Sequence, residues 1–250
     1  MARKNRSVKK TGGGLKFWGR HAIEAALANP KRHIKKISGT REVVSSLDLP
    51  ADIPVIYSDV ADLGRMIPRD APHQGLVADL DPLPDIWLGD LLDEAAGKGR
   101  PIVVLDQVTD PHNVGAILRS AAAFDAAAIV TQDRHAPPES GTLAKSASGA
   151  LETIPWIRVV NLSRALDEIA DAGYWRIGLD GEGDQFLSEA MGDGKLALVM
   201  GAEGEGLRQN VAAHCDVIAR LPMSDRMESL NVSNAAAIAL YAEYTRKQES

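Results

Sequence analysis

The sequence predicts an α/β protein: a mostly parallel β-sheet with helices on both faces, preceded by a smaller α/β domain. From residue 101 onward, short apolar runs alternate with segments of helical periodicity, the pattern of parallel strands joined by crossover helices. The run 101–105 is continuously apolar, as expected of a strand covered on both faces. The length of 250 residues leaves room for a modest second domain before this sheet.

The first part of the chain is predicted to contain a small domain spanning residues 15–80. Apolar residues at helical spacing predict a helix within 17–27, which Asn29-Pro30 ends. Strands and short helices are then expected to alternate, with strands at 34–38, 53–57 and 74–78 and helices at 42–47 and 59–67. Residues 1–14 are polar and basic and are predicted to be a disordered tail.

A proline-rich segment separates this domain from the larger one. Residues 81–98 are predicted to be a linker, with two prolines among acidic residues, followed by a helix from Ile86 to about Ala96. The larger domain then spans residues 99–250. Its elements are predicted as strands at 101–105, 126–131, 157–160, 174–179, 196–200 and 217–221 and helices at 113–124, 142–150, 163–172 and 207–213, with a final helix after Ser233.

The charge is unevenly distributed along the chain. The net charge is -6, yet residues 1–41 hold twelve Lys or Arg and one acidic residue, a local charge of +11 against −17 for the remainder. Such asymmetry indicates an N-terminal region that faces nucleic acid. The alternative for the first 14 residues is a solvated tail without a partner.

Several classes of protein are excluded by composition. No run of about 18 apolar residues is present, so no membrane span is expected. The N-terminus lacks the apolar region of a secretory signal. A single cysteine, Cys215, excludes an internal disulfide and a cysteine-based zinc site, and the six histidines are not at metal-binding spacing. We therefore expect a cytoplasmic protein without a metal.

Ligands of parallel sheets bind beyond the carboxyl ends of the strands, so the loops after strands are the candidate sites. The first such loop leads into a helix carrying Asn113 and Arg119. Arg119 lies among apolar residues, where an arginine needs an anionic partner or a water-filled cleft. An ordinary arginine that reaches solvent past its apolar neighbours is the alternative.

The second loop has glycines at 201, 204 and 206 around Glu203 and Glu205. Its spacing differs from the dinucleotide fingerprint, and its carboxylates suit a cationic or neutral ligand better than a pyrophosphate. A tight turn without function is the alternative, and the similar segment 181–184 is predicted to be a surface turn. The third loop combines an apolar turn, Leu221-Pro222-Met223, with the polar run 229–233 before the last helix. Its alternative is a plain helix cap at Ser229 or Asn231.

Together the three loops resemble the SpoU family of RNA ribose 2′-O-methyltransferases, within the SPOUT superfamily. The matching segments, in order and register, are Asp110-Pro-His-Asn-Val-Gly115 with Arg119, Met200-Gly-Ala-Glu-Gly-Glu-Gly-Leu207, Leu221-Pro-Met223 and Ser229-Leu-Asn-Val-Ser233. The segments 17–25 and 73–78 resemble the two ends of the family's L30e-like substrate-binding domain. One departure is Asp225, where many members have glycine, which bears on loop shape and target choice.

This resemblance implies a deep trefoil knot in the larger domain, which pattern alone would argue against because knots are rare. It implies S-adenosylmethionine as cofactor and a homodimer through the knotted domain and its final helix. The implied cofactor-binding residues are Gly201, Leu221, Met223, Leu230 and Ser233. The implied catalytic residues are Asn113, Arg119, Glu203, Ser229 and Asn231.

The implied reaction is methylation of a ribose 2′-hydroxyl, and the two-part arrangement is most similar to members that modify a guanosine of 23S rRNA. The positive charge of the sulfonium group in this cofactor suits a loop that carries carboxylates, such as Glu203. Free guanidinium stays protonated, so we assign Arg119 to the substrate phosphate and the developing alkoxide and leave the base unassigned. The alternatives are a tRNA ribose methyltransferase and a non-catalytic RNA-binding or ribosome-assembly protein of the same fold.

Overall fold

The computed structural model describes residues 14–95, 99–202, 204, 206–224 and 226–249. These residues form two compact units, which divide between Leu83 and Pro84. The predicted helix after the linker therefore belongs to the second unit. Of the predicted tail at 1–14, all but Gly14 lies outside the described residues.

The first unit is a four-stranded sheet flanked by short helices. Its described elements are β1 Leu15–Trp18, α1 Arg20–Ala28, β2 Ile34–Gly39, α2 Arg41–Ser45, β3 Val55–Tyr57, α3 Val60–Arg65 and β4 Leu76–Leu80. The strand order is β1-β4-β2-β3; β4 is antiparallel to both β1 and β2, and β3 is parallel to β2. Phe17 and Trp18 are buried in β1. The helix predicted within 17–27 is α1, whereas the strand β1 before it was not predicted; Gly19, at φ 84, separates the two.

The second unit is built on a seven-stranded sheet in the order β7-β6-β5-β10-β8-β11-β9, in which every pairing between described strands is parallel. Its strands are β5 Ile102–Leu105, β6 Ala128–Gln132, β7 Trp156–Val159, β8 Tyr174–Leu179, β9 Gln185–Phe186, β10 Lys195–Met200 and β11 Val217–Arg220. Its helices are α4 Leu88–Ala95, α5 Pro111–Ala123, α6 Gly141–Ala147, α7 Leu162–Asp171, α8 Leu187–Ala190, α9 Gln209–Ala212 and α10 Val232–Glu249. The predicted parallel α/β class is confirmed.

Both faces of the large sheet are covered. Ile102 and Val104 of β5 pack in one apolar cluster with α4 and α7. Val103 and Leu105 point to the opposite side and are equally buried, as the continuous apolar run predicts. No helix in the described part of the chain is both long and apolar enough to cross a membrane.

The segment 181–184 is a turn, as predicted, and its residues 181, 182 and 184 are exposed. Gly183 within it is buried, and a Cβ there would lie 2.6 Å from the backbone of Ala219 in β11. Other local predictions in this unit need correction. The short strand β9 and helix α8, which follow this segment, were not predicted. The predicted helix 207–213 is reduced to α9, and the helix predicted at 142–150 ends at Ala147, since Ser148 adopts φ 50.

The crossing of α5 and α6 depends on a glycine. A Cβ on Gly115 would lie 2.6 Å from both the carbonyl oxygen of Leu143 and the Cβ of Ser146. Those contacts are closer than real Cβ atoms tolerate, so the two helices can approach this closely only with glycine at this position. The glycine of the first motif therefore sets the position of the helix that carries Asn113 and Arg119.

We predict that Gly115→Ala lowers the free energy of unfolding by about 1–3 kcal/mol, because the added methyl forces two packed backbones apart. Urea denaturation measures the change. Gly89→Ala in α4 is the matched control: a Cβ there meets nothing within 4 Å, so that variant should be neutral or slightly stabilising. Equal losses in the two variants would contradict the packing role of Gly115.

Candidate functional site

The first and third loops meet through a pair of asparagines. The side-chain nitrogen of Asn231 donates a hydrogen bond to Oδ1 of Asn113 at 3.1 Å, across a separation of 118 residues. Oδ1 of Asn231 in turn accepts from the backbone nitrogen of Ser233 at 2.9 Å and from its hydroxyl at 2.6 Å. Asn231 therefore caps α10 and also ties that helix to the start of α5.

The start of α5 is fixed by its own sequence. The carboxylate of Asp110 accepts from the backbone nitrogen of His112 at 2.8 Å, and Pro111 occupies the first helical turn, where a missing N–H costs nothing. The ring of His112 contacts the hydroxyl of Ser146 on α6 at 3.1 Å. Asn113 is thus held between a capped helix start and two neighbouring helices.

The second loop folds back on itself directly after β10. The backbone nitrogen of Gly206 donates to the carbonyl oxygen of Ala202 at 3.0 Å. A Cβ on Gly201 would lie 2.0 Å from the carbonyl oxygen of Gly206, so only glycine can occupy position 201. Gly206 itself has φ 64, and a Cβ there would lie 2.6 Å from the carboxylate of Asp180. We call the segment 201–207 the glycine hairpin; Glu203 and Glu205 within it lie outside the described residues.

A buried ion pair anchors the chain that leaves the glycine hairpin. Asp106, directly after β5, is fully buried. Its carboxylate accepts from the backbone nitrogen of Arg208 at 3.1 Å and from Nε at 2.8 Å, and Nη2 of Arg208 lies 2.6 Å from it. Nη2 also donates to Gln132, at the end of β6, at 2.9 Å. The carboxyl ends of β5, β6 and β10 are therefore joined by one network of charge-assisted hydrogen bonds.

A second carboxylate lies at the end of β8. Oδ1 of Asp180 accepts from the backbone nitrogen of Glu182 at 3.0 Å, while Oδ2 approaches the backbone nitrogen of Leu207 at 3.5 Å. Sequence reasoning singled out neither Asp106 nor Asp180. The available signal was that each acidic residue directly follows a buried apolar strand, at Leu105-Asp106 and Leu179-Asp180.

Both units of the chain match described protein families. Residues 100–241 match the SpoU rRNA Methylase family, and residues 17–85 match the domain described as RNA 2′-O ribose methyltransferase substrate binding. The chain belongs to the SpoU methylase family. The resemblance inferred from the three loops is confirmed.

Among related SpoU-family proteins, the 23S rRNA (guanosine-2′-O-)-methyltransferase RlmB of Pseudomonas aeruginosa is 37% identical over 236 residues, which are 90% of this chain and 94% of that protein. RlmB of Escherichia coli K12 is 42% identical over 172 residues, 68% of this chain and 71% of that protein. Among solved structures, the SpoU methyltransferase AviRb from Streptomyces viridochromogenes has a TM-score of 0.78 at 22% identity, covering 95% of this chain and 91% of that one. That likeness establishes a shared fold.

The other described residues expected from the family differ in their exposure to solvent. Arg119 is exposed on α5, and within the described residues no carboxylate pairs with it. Ser229 and Met223 are exposed, whereas Leu221 and Leu230 are half-buried. The structure therefore joins Asn113, Asn231 and Ser233 directly, while Arg119 and Ser229 make no hydrogen bond to them in the described part of the chain. No three or more potential metal-ligating side chains among the described residues are placed to hold a metal ion.

We predict that Asp106→Asn destabilises the second unit by about 2–4 kcal/mol, because it leaves the Arg208 guanidinium without its countercharge in a partly buried position. Urea denaturation measures the loss. Hydrogen exchange of residues 201–208 should also accelerate in this variant.

The matched control is Asp216→Asn, which lies at the amino end of β11 in the same sheet. Asp216 pairs with Arg176 at 2.7 Å, and this hydrogen bonding lowers the pKa of Asp216. Its loss should destabilise the fold while exchange at 201–208 changes only with global unfolding. Unaltered exchange at 201–208 in Asp106→Asn would show that the buried pair does not position the glycine hairpin.

Proposed function

We propose that this chain transfers a methyl group from S-adenosylmethionine to the ribose 2′-hydroxyl of a guanosine in 23S rRNA. The observation that carries the proposal is that one similarity, to the RlmB enzymes, runs through both units over 90% of the chain. The same match includes the substrate-binding and the methylase parts. The test is transfer of labelled methyl groups to purified 23S rRNA and, separately, to tRNA, with mapping of the modified nucleotide.

The cofactor is assigned to the carboxyl edge of the large sheet, with Gly201, Leu221, Met223, Leu230 and Ser233 as the residues that hold it. The glycine hairpin fits this group at Gly204, where a Cβ would meet nothing within 4 Å, so that a ligand can reach the backbone there. The carboxylate of Asp180, which lies beside Gly206 and Leu207 of the hairpin, favours a sulfonium cation over a phosphate. When bound, the cofactor supplies an electrophilic methyl group.

The acceptor ribose is assigned to the cleft near Asn113 and Asn231, with Arg119, Glu203 and Ser229 as further catalytic residues. Oδ1 of Asn113 is occupied by Asn231, which leaves the Nδ2 hydrogens of Asn113 to donate to a ribose oxygen. The exposed guanidinium of Arg119, unpaired among the described residues, is suited to a phosphate and to the alkoxide that develops during transfer. The 2′-hydroxyl is a poor nucleophile, so charge stabilisation at this oxygen is the main contribution required from the protein.

We predict that Arg119→Ala lowers kcat by about 10²- to 10³-fold with little change in cofactor affinity, because one preorganised cation is lost from the transition state. Arg119→Lys should still be impaired, since an ammonium cannot reproduce the planar fork. Steady-state methyl transfer measures kcat, and isothermal titration measures cofactor binding. Arg164→Lys, an exposed arginine on α7, is the matched control. Near-normal turnover of Arg119→Lys would rule out a need for the guanidinium.

We further propose that the second unit is knotted and that the first unit has an L30e-like fold, in a protein of the cytoplasm. Support for the knot comes from the strand order: β10 inserts between β5 and β8, and the chain after β11 returns to α5, where Asn231 meets Asn113. The returning segment passes the loop that follows β8, since a Cβ on Gly181 would lie 3.7 Å from the carbonyl oxygen of Glu228.

A homodimer through α10 is also proposed. Ile238, Tyr241 and Tyr244 are exposed on this helix, by 46%, 56% and 39%. Phe124, at the end of α5, contacts the rings of Tyr241 and Tyr244 at centroid distances of 5.7 and 6.0 Å. This apolar face, shared by α5 and α10, is of the kind that a second copy of the chain buries.

We predict that Ile238→Glu combined with Tyr241→Glu converts the protein to a monomer, because burying two carboxylates at an apolar interface is unfavourable. Sedimentation velocity at micromolar concentration measures the mass. Trp87→Glu, at a side chain 57% exposed elsewhere in the second unit, should leave the assembly unchanged. A double variant that sediments as the wild type does would exclude this face from the interface.

A further inference from the structure

At one end of the small sheet in the first unit, the loops that follow three of its strands lie close together. Because β4 is antiparallel to β1 and to β2, and β3 is parallel to β2, the carboxyl ends of β1, β2 and β3 lie together beside the start of β4. Backbone hydrogen bonds join these ends, from Gly19 to Leu76, from Thr40 to Gly75 and from Ser58 to Gly39.

An exposed aromatic–cation pair stands at this end of the sheet. Tyr57, the last residue of β3, is 56% exposed. The guanidinium carbon of Arg41, the first residue of α2, lies 4.8 Å from the centre of its ring. Thr40 and Ser58 line the same shallow groove and add hydroxyl groups. Two stacked flat groups flanked by hydroxyls resemble the surfaces on which unpaired nucleobases stack.

The electrostatics of the first unit favour a base over a phosphate at this end of the sheet. Many of its described cations are already paired: Lys16 and Lys36 with Asp79, Lys35 with Asp81, and Arg20 with Glu24. The groove also contains the carboxylates of Asp59 and Asp62. A phosphate would be repelled by these carboxylates, whereas stacking of a neutral base needs no excess positive charge.

We propose that Tyr57 and Arg41 form a stacking site for an unpaired nucleobase of the RNA substrate. The proposal rests on the function proposed above and extends it, because it assigns the RNA-contacting face of the first unit and the mode of contact. Recognition of RNA by splayed-out bases is the general route to sequence-specific binding of loops. A base held here contributes to the choice of RNA.

The experiment measures the Kd of the full-length protein for a 23S rRNA fragment at several salt concentrations, together with KM and kcat for methyl transfer. Tyr57→Ala should raise both Kd and KM for RNA about tenfold, in the range found for loss of one stacked base. Tyr57→Phe should bind as the wild type does, because the ring is kept. The slope of log K against log salt should stay unchanged in Tyr57→Ala, since no charge is lost.

The arginine variants separate stacking from charge. Arg41→Ala should weaken binding and leave the salt slope nearly unchanged, because the guanidinium contacts a base and not a phosphate. Arg41→Lys should not recover the full affinity, because an ammonium keeps the charge but does not stack. Ile56→Ala is the matched control, since Ile56 is 45% exposed and precedes Tyr57 on the same strand but faces the other side.

Cofactor binding by isothermal titration and kcat at saturating RNA should be equal in all these variants. A wild-type protein that methylates no RNA would overturn the proposed function, and the binding measurements would still test the stacking site. Wild-type Kd and KM in Tyr57→Ala, or an equal loss in Ile56→Ala, would overturn the stacking site while leaving the proposed function intact.

Discussion

The ion pair between Asp106 and Arg208 is the constraint on which the arrangement of the candidate site depends. A carboxylate buried completely at the end of a central strand is costly unless a cation and additional hydrogen bonds meet it. Arg208 supplies both, through its side chain and its backbone nitrogen. Because Arg208 directly follows the glycine hairpin, satisfying Asp106 also fixes where that hairpin ends, and the contact with Gln132 adds the neighbouring strand.

The hydrogen bond between Asn231 and Asn113 fixes the position of the third loop. Asn231 meets three requirements with one amide group: it caps α10, binds the hydroxyl of Ser233 and holds Asn113. The loops proposed above for the methyl donor and the acceptor are thereby held by contacts within the protein. In the proposed function, such preorganisation lowers the entropic cost of bringing a methyl donor and a hydroxyl into line.

The alternation of strands and helices and the three loops could be predicted from the sequence, because both depend on local patterns. The pairing of Asp106 with Arg208 could not be predicted in this way. That pairing requires β10 to lie beside β5, although some ninety residues of chain separate the two strands, and periodicity carries no information on strand order. The strand β1 was also missed, because its four residues are too few to show a period and a helix follows directly after Gly19. Short edge elements such as β9 and α8 have too few residues to show a period.

Net charge along the sequence was also an incomplete guide to the first unit. Lys35 and Lys36 of β2 are paired with Asp81, which directly follows β4, and with Asp79, which lies in that strand. Exposed pairs of this kind contribute little stability, but they reduce the charge available to an RNA backbone. If the first unit binds RNA as proposed, its selectivity between RNAs depends more on shape and base stacking than on phosphate contacts. An unpaired base is found only where the RNA is not helical, so a stacking surface discriminates loops from duplex even when the local charge is balanced.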